Sequence, residues 1–257
     1  MEIRKRYVDT TYGQLHLRTA GEVSDCPLVL LHQTASSSIM FERMMAELAD
    51  DFWLIAPDTP GFGGSFRPKQ PPSIELYADA IQQGLEQLDI TNYHLFGHHT
   101  GASIAVQLAH DSSHLVNKLC LVGPPLISEA QKQLFEQTLI PFEFSEAYVQ
   151  AIWRRTAKKS ADIDLGLLYC EAVLTMQAED QLHHAYHAVF EQDFAGQIGR
   201  INCPTLVLAG ENDSLRASLE PTFALLQDGS MRIIPNAGTF ICDEQPQLMA
   251  NLLRTFF

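Results

Sequence analysis

Short apolar runs alternate with helical stretches along most of this 257-residue chain, and that alternation restricts its fold more than any other feature. Pro27-Leu28-Val29-Leu30-Leu31 is a continuous apolar run, as a strand buried on both faces requires. Ser38 to Leu48 has helical spacing, and Phe52-Trp53-Leu54-Ile55-Ala56 is the next strand. Ile74 to Leu88 is helical, His94-Leu95-Phe96 a strand, Thr100 to His110 a helix, and Lys118 to Val122 a strand closed by Pro124-Pro125. This order predicts a parallel sheet covered by helices on both faces. Ahead of it, Arg6-Tyr7-Val8 and Gln14-Leu15-His16-Leu17-Arg18 read as two strands joined by a turn near Gly13. From Leu126 to Ile198 the segments are helical only. The alternation then resumes with Thr205-Leu206-Val207-Leu208-Ala209, a helix near Ser218 to Leu226, the strand Met231-Arg232-Ile233-Ile234 and a helix near Gln247 to Phe257. The middle block therefore reads as a helical cap, about 126–198, inserted into one domain with a core of 1–125 and 199–257. The carboxyl edge of the sheet is its natural seat, because ligands bind there in open α/β sheets.

The balance of 31 acidic and 17 basic side chains gives a formal charge of −14, which argues against nucleic acid and anionic membrane surfaces as partners. The charged stretch Met1 to Arg6 lacks the apolar core of a secretory signal, and no apolar run reaches membrane-spanning length. Cys26, Cys120, Cys170, Cys203 and Cys242 are odd in number and form no C-x-x-C pair. Reduced thiols in a cytoplasmic protein fit that pattern.

Phe96-Gly97-His98-His99-Thr100-Gly101-Ala102 lies between a predicted strand and a predicted helix. Glycines flanking three residues suit a sharp turn that lifts its central side chain to the sheet edge, beside free N–H groups of a helix start. Here the chain resembles the α/β-hydrolase family, whose elbow is G-x-S-x-G. Four more segments carry the resemblance. Leu30-Leu31-His32-Gln33-Thr34 looks like the oxyanion loop, with Gln33 where glycine is usual. Asp58-Thr59-Pro60-Gly61-Phe62-Gly63-Gly64-Ser65 resembles the D-x-P-G-x-G-x-S turn. Leu208-Ala209-Gly210-Glu211-Asn212-Asp213 resembles the segment ending in the triad aspartate, and Asn236-Ala237-Gly238-Thr239-Phe240 the one that carries the triad histidine. The resemblance covers nearly the whole chain. It implies a mostly parallel eight-stranded sheet with helices on both faces and an inserted cap.

Two departures redirect the expected chemistry. His99 stands where the family has its serine, and Thr239 where it has its histidine, leaving Asp213 of the triad. An acyl-serine route needs a hydroxyl beside a base, and Ser103, one turn beyond the elbow, does not inherit the exposed position. One reading is an enzyme in which His99 approaches Asp213 directly and acts as a base on a small carbonyl compound. Backbone N–H groups at Thr100 and near Thr34 would stabilise an oxyanion or enolate. Lyase, decarboxylase, cyclase and isomerase chemistry suit these parts, as does hydrolysis by activated water. The alternative is a non-catalytic member that binds a small molecule or a protein. An imidazole bonded to Asp213 and facing a pocket favours catalysis, and one among apolar groups favours binding.

Other residues receive plainer readings. His98 is expected to be structural or pocket-lining, and His32 to lock its loop by a hydrogen bond. Gln33 either places an amide in the pocket or fills the space of a glycine. No organic cofactor or metal is expected. His183 and His187 are four apart on a predicted helix, but His184 stands where an H-E-x-x-H motif needs glutamate. Arg154 and Arg155 lie in the cap, where an arginine could clamp a carboxylate, though surface charge is the simpler role. Cys120 and Cys242 read as packing residues. Substrate identity and oligomeric state are not legible.

Overall fold

The computed structural model describes residues 2–160 and 163–257. Strands β1 (Arg4–Asp9), β2 (Gln14–Ala20) and β3 (Leu28–Leu31) lead through a 3-10 turn to α1 (Glu42–Leu48). Then β4 (Leu54–Pro57), α2 (Ile74–Glu86), β5 (Tyr93–His98), α3 (Thr100–Asp111) and β6 (Val116–Val122) alternate, as the sequence predicts. Five helices follow: α4 (Glu129–Thr138), α5 (Glu146–Ala157), α6 (Leu165–Ala178), α7 (Gln181–Glu191) and α8 (Phe194–Ile198). The chain returns to the sheet with β7 (Thr205–Gly210), α9 (Leu219–Phe223) and β8 (Gly229–Ile234), and ends in α10 (Ile241–Glu244) and α11 (Pro246–Phe256).

One eight-stranded sheet runs in the order β1-β2-β4-β3-β5-β6-β7-β8. β2 is antiparallel to both of its neighbours, and every pairing from β4 to β8 is parallel. The central strands are rich in buried apolar residues because both faces are covered. Val29, Leu31, Ile55, Leu95 and Val207 pack beneath α2, α3 and α7. Leu28, Leu30, Phe96, Cys120 and Leu206 pack on the opposite side against α1 and α11. Successive strand side chains point to opposite faces, so each run feeds two cores.

Local chemistry sets several helix starts. Ser73 caps α2 by accepting from the Leu76 N–H, and Ser128 forms a reciprocal capping box with Gln131 at α4. The helices between β6 and β7 are tied to the rest of the molecule by polar contacts. Ser36 Oγ donates to Glu171 Oε1 of α6 at 2.7 Å, Gln192 Nε2 donates to the Ser103 carbonyl at 3.0 Å, and Arg67 pairs with Glu179 at 2.6 Å. No described helix is long and apolar enough to cross a membrane.

Candidate active site

The junction of β5 and α3 lifts one imidazole to the carboxyl edge of the sheet. His99 has φ 50° and ψ −111°, a conformation rarely adopted outside glycine, and it caps α3. Its N–H donates to the Val122 carbonyl at 2.9 Å, and its own carbonyl accepts from Ala102 at 2.8 Å. The flanking glycines are obligatory. A Cβ at Gly97 would lie 2.4 Å from the Gly101 carbonyl oxygen, and one at Gly101 would lie 2.0 Å from that of Leu31. The first turn of α3 is therefore pressed against the backbone that follows β3.

His99 Nε2 lies 3.0 Å from both carboxylate oxygens of Asp213. Asp213 is fixed just past β7, its side chain wholly buried and its Oδ1 accepting from the Leu215 N–H at 2.7 Å. Burial alone would raise this carboxyl. The charge and hydrogen bond of His99, helped by His98 and the Leu215 N–H, outweigh burial and bring it down to about 2. Asp213 is thus a carboxylate at neutral pH and accepts from Nε2–H. The other ring nitrogen, Nδ1, makes no hydrogen bond among the described residues and is not sealed from solvent. The tautomer that satisfies Asp213 leaves a lone pair on Nδ1.

Gly123 makes room for this arrangement. It has φ +53°, and a Cβ there would lie 2.4 Å from His99 Cδ2 and 2.5 Å from Nε2. Sequence reasoning treated Val122 as the end of a strand and gave Gly123 no role. Only the contact with the His99 ring, from the turn after β5, reveals one.

His98 sits behind His99, the two rings edge to face with centroids 4.7 Å apart. It is fully buried, its Nδ1 lies 3.6 Å from Cys242 Sγ, and its Nε2 has no partner. Burial first, then the neighbouring His99, lowers its pKa well below the ordinary imidazole value. Burial likewise pushes the Cys242 thiol well up. His98, His99 and Asp213 each offer one atom within 4.8 Å of the others, so this cluster has the spacing of a metal site. The His99–Asp213 contacts are also of hydrogen-bond length, so those two groups satisfy one another directly. On α7, His187 is exposed while His183 is half-buried.

The loop after β3 lines the site. The Thr59 N–H donates to His32 Nε2 at 2.9 Å, so Nδ1–H must donate to the Gln33 carbonyl, also at 2.9 Å. His32 is thereby a neutral brace between this loop and the turn at Asp58. Asp58 accepts from the Ser38 N–H at 2.7 Å, from Gly64 at 2.8 Å and from His16 at 2.8 Å. Burial opposes its ionisation, but these donors hold it below the usual carboxylate range. Gln33 is 1% exposed, and neither atom of its amide has a partner. Thr34 and Thr100 are buried beside it, and the Thr100 N–H, at the first position of α3, has no intrahelical acceptor. Thr239 is buried between β8 and α10 and makes no side-chain hydrogen bond to His99 or Asp213. Ser103 is fully buried, its Oγ without a partner.

A second acidic group was invisible in sequence. The charge of Glu171 on α6 reaches Asp243 of α10. Burial, then the Glu171 charge, pushes the Asp243 carboxyl up to about 8, and burial raises Glu171 too. The two are far apart in the chain, so no motif could signal them.

Comparison with known proteins identifies the fold family. A family model described as alpha/beta hydrolase fold matches residues 27–246. An uncharacterized protein of Mycobacterium tuberculosis is 31% identical over 114 residues, covering 44% of this chain and 33% of that protein. The chain thus spans about a third of the length of such relatives. The 2-(acetamidomethylene)succinate hydrolase of Mesorhizobium japonicum is 24% identical over 265 residues, covering 95% of this chain and 92% of that enzyme. Among solved structures, a bacterial membrane phospholipase A superposes with a TM-score of 0.85 at 19% identity, over 99% of this chain and 85% of that one. At that identity the likeness is one of fold.

Proposed function

The chain belongs to the alpha/beta hydrolase fold family, and we propose that within it this protein is a cofactor-independent enzyme in which the His99–Asp213 pair acts as general acid and base on a small carbonyl compound. The observation that carries this reading is the placement of Nε2 3.0 Å from both Asp213 oxygens while Nδ1 stays open. Asp213 fixes the tautomer and stabilises the imidazolium that forms. Nδ1 takes a proton from a carbon beside the substrate carbonyl, or from a water. The electron pair left behind moves onto the carbonyl oxygen, or the resulting hydroxide attacks the carbonyl carbon. In this reading the N–H groups at Thr100 and Thr34 and the unpartnered Gln33 amide receive that oxygen. His99 then returns the proton.

Lyase, decarboxylase, cyclase or isomerase chemistry, or direct hydrolysis by water, all use these steps. The sealed Ser103 supports a route without an acyl-serine. In this reading His99 is an elbow residue standing in for a serine, Thr239 is the relic of a triad histidine, and the helices of about 126–198 are the cap that excludes water. The bonded, open imidazole favours catalysis over binding alone. The experiment is a turnover screen of small carbonyl compounds and reactive esters, followed by His99→Ala and Asp213→Asn. Loss of a positioned base is expected to lower kcat by about 10²–10⁴-fold. If both variants turn over the substrate at the wild-type rate, the reading is wrong.

A further inference from the structure

Helix α6 buries an acid on its apolar side. Leu167, Leu168 and Ala172 belong to the buried stripe of this helix, and Glu171 lies on the same stripe at 3% exposure. A carboxyl is rarely buried so fully without a partner, because burial penalises its charge and strips water from its oxygens. The partner comes from outside the cap. Ser36 Oγ donates to Glu171 Oε1 at 2.7 Å, and Ser36 is itself sealed from solvent.

Ser36 closes the turn that follows β3. Its N–H donates to the Gln33 carbonyl at 2.9 Å, and His32 Nδ1–H donates to the same carbonyl at 2.9 Å. Upstream, the chain is fixed against α3, two residues past His99. A Cβ at Gly101 would lie 2.0 Å from the Leu31 carbonyl oxygen and 2.9 Å from that of His32. Downstream, the Ser38 N–H donates to Asp58 Oδ1 at 2.7 Å. The turn Gln33–Ser36 lies between these anchors. Among the described residues, the Thr34 N–H has no backbone acceptor and the Gln33 amide has no partner, so neither donor is already committed. Among the same residues, the hydrogen bond to Glu171 is the one that reaches this turn from the helices between β6 and β7. Other ties of those helices fall elsewhere: Arg67 pairs with Glu179 at 2.6 Å, and Gln192 Nε2 donates to the Ser103 carbonyl at 3.0 Å.

We propose that Glu171 is a positioning residue: by accepting from Ser36 it fixes the turn Gln33–Ser36, so that the donors at Thr34 and Gln33 are aimed at the site only while α6 is seated. This deepens the reading above, on which it rests for one point only: that these donors receive an oxygen in a reaction run by His99. The fixing of the turn can be read without turnover.

The test pairs amide hydrogen exchange, followed by NMR on the full chain without substrate, with steady-state kinetics on a compound found in the turnover screen. Glu171→Leu keeps the apolar stripe and removes the acceptor. It is expected to speed exchange of the Ser36 amide at least about tenfold, the worth of one hydrogen bond. It is also expected to lower kcat at least about tenfold while KM stays within about threefold. Glu171→Gln keeps an oxygen for Ser36 and is expected to hold both exchange and kcat within about threefold of wild type. Ser36→Ala removes the same bond from the other side. Once intrinsic rates are corrected, it is expected to match Glu171→Leu in exchange at position 36 and in kcat, with no further loss in the double variant. It carries the test if Glu171→Leu does not fold. Arg67→Met cuts a different tie of the same helices and is expected to leave Ser36 exchange and kcat within about twofold. The proposal is overturned if Glu171→Leu exchanges Ser36 at the wild-type rate, if Arg67→Met reproduces its loss of kcat, or if the losses of Ser36→Ala and Glu171→Leu add. If His99→Ala keeps full turnover, the catalytic reading falls, and exchange at Ser36 alone decides whether Glu171 fixes the turn. If His99→Ala abolishes turnover while Glu171→Leu keeps the wild-type kcat, the catalytic reading stands and the proposal falls.

Discussion

Replacing Gly123 by alanine tests whether the His99–Asp213 pair depends on an absent side chain. The added Cβ would lie 2.4 Å from His99 Cδ2, 2.5 Å from Nε2 and 3.3 Å from Asp213 Oδ1, whereas ordinary contact begins at 3.4 Å. The ring must retreat by about 1 Å, which takes Nε2 from 3.0 Å to roughly 4 Å from the carboxylate, beyond hydrogen-bond reach. Losing a hydrogen bond to a charged group costs about 1.5–3 kcal/mol, and a left-handed non-glycine residue about 1–2 kcal/mol more. A total of about 2.5–5 kcal/mol corresponds to a fall of about 5–20 °C in melting temperature for a domain of this size. Long-range ¹⁵N–¹H correlation NMR reads the tautomer without a substrate. Wild type is expected to show His99 protonated at Nε2, with the assignment made by loss of the signal in His99→Gln. Gly123→Ala is expected to show a mixture of tautomers. Gly238→Ala is the control, since the nearest atom to its Cβ is 3.6 Å away. Unchanged His99 nitrogen shifts with a melting temperature within about 1 °C of wild type would refute the reasoning.

The remaining predictions concern charge. Asp213 falls from 3.8 unfolded to about 2 folded, so its pair stabilises above about pH 4 and that contribution is lost as pH falls through 2; Asp213→Asn should flatten the acid limb of urea-unfolding stability by about 2 kcal/mol. Asp243 shifts the other way, from 3.8 to about 8, so its contribution is present below about pH 4 and lost as pH rises to 8. Asp243→Asn should therefore raise the melting temperature at pH 8 by at least about 2–4 °C and change it little at pH 4. Asp58→Asn turns an amide N–H₂ toward donors from Ser38, Gly64 and His16, and should cost about 3–5 kcal/mol in urea unfolding. Dialysis against EDTA should leave the melting temperature unchanged, because His99 and Asp213 satisfy each other; a fall of about 5 °C or more would assign an ion to the His98–His99–Asp213 cluster.

The legible parts are those that a local pattern can carry. β3 and most of β7 are continuous apolar runs because each is buried on both faces, β5 and β6 keep shorter apolar stretches, and the glycines around His98, His99 and Thr100 mark a turn that tolerates no Cβ. Departures at His99 and Thr239 are visible because the surrounding motifs keep their order. What was hidden depends on side chains that meet from distant segments. Gly123 matters only because the His99 ring, from the turn after β5, rests on it. Glu171 reaches Ser36 across 135 positions. Arg155 had surface charge as its simpler reading, and its sealed Nη1 depends on how α4, α5 and α7 pack together. Helical periodicity gives the buried stripe of each helix, not the rotation that brings one helix against the next.

The place where the chain leaves the sheet also bears on how the molecule assembles. Leu119 of β6 pairs with Thr205 of β7, so two neighbouring strands join only after a loop of roughly 85 residues has closed. Loop-closure entropy rises with the logarithm of length, at about 0.6 kcal/mol for each doubling. Against a short connection of about ten residues, the excursion therefore costs only about 2 kcal/mol. The delay is kinetic, since distant pairings form late. The register that brings Asp213 to His99 is completed only when β7 docks, so β1 to β6 can gather first and the pair is among the last contacts made. The same logarithm makes the inserted helices the cheapest part of the molecule to lengthen, shorten or exchange without disturbing the strands that carry His99 and Asp213.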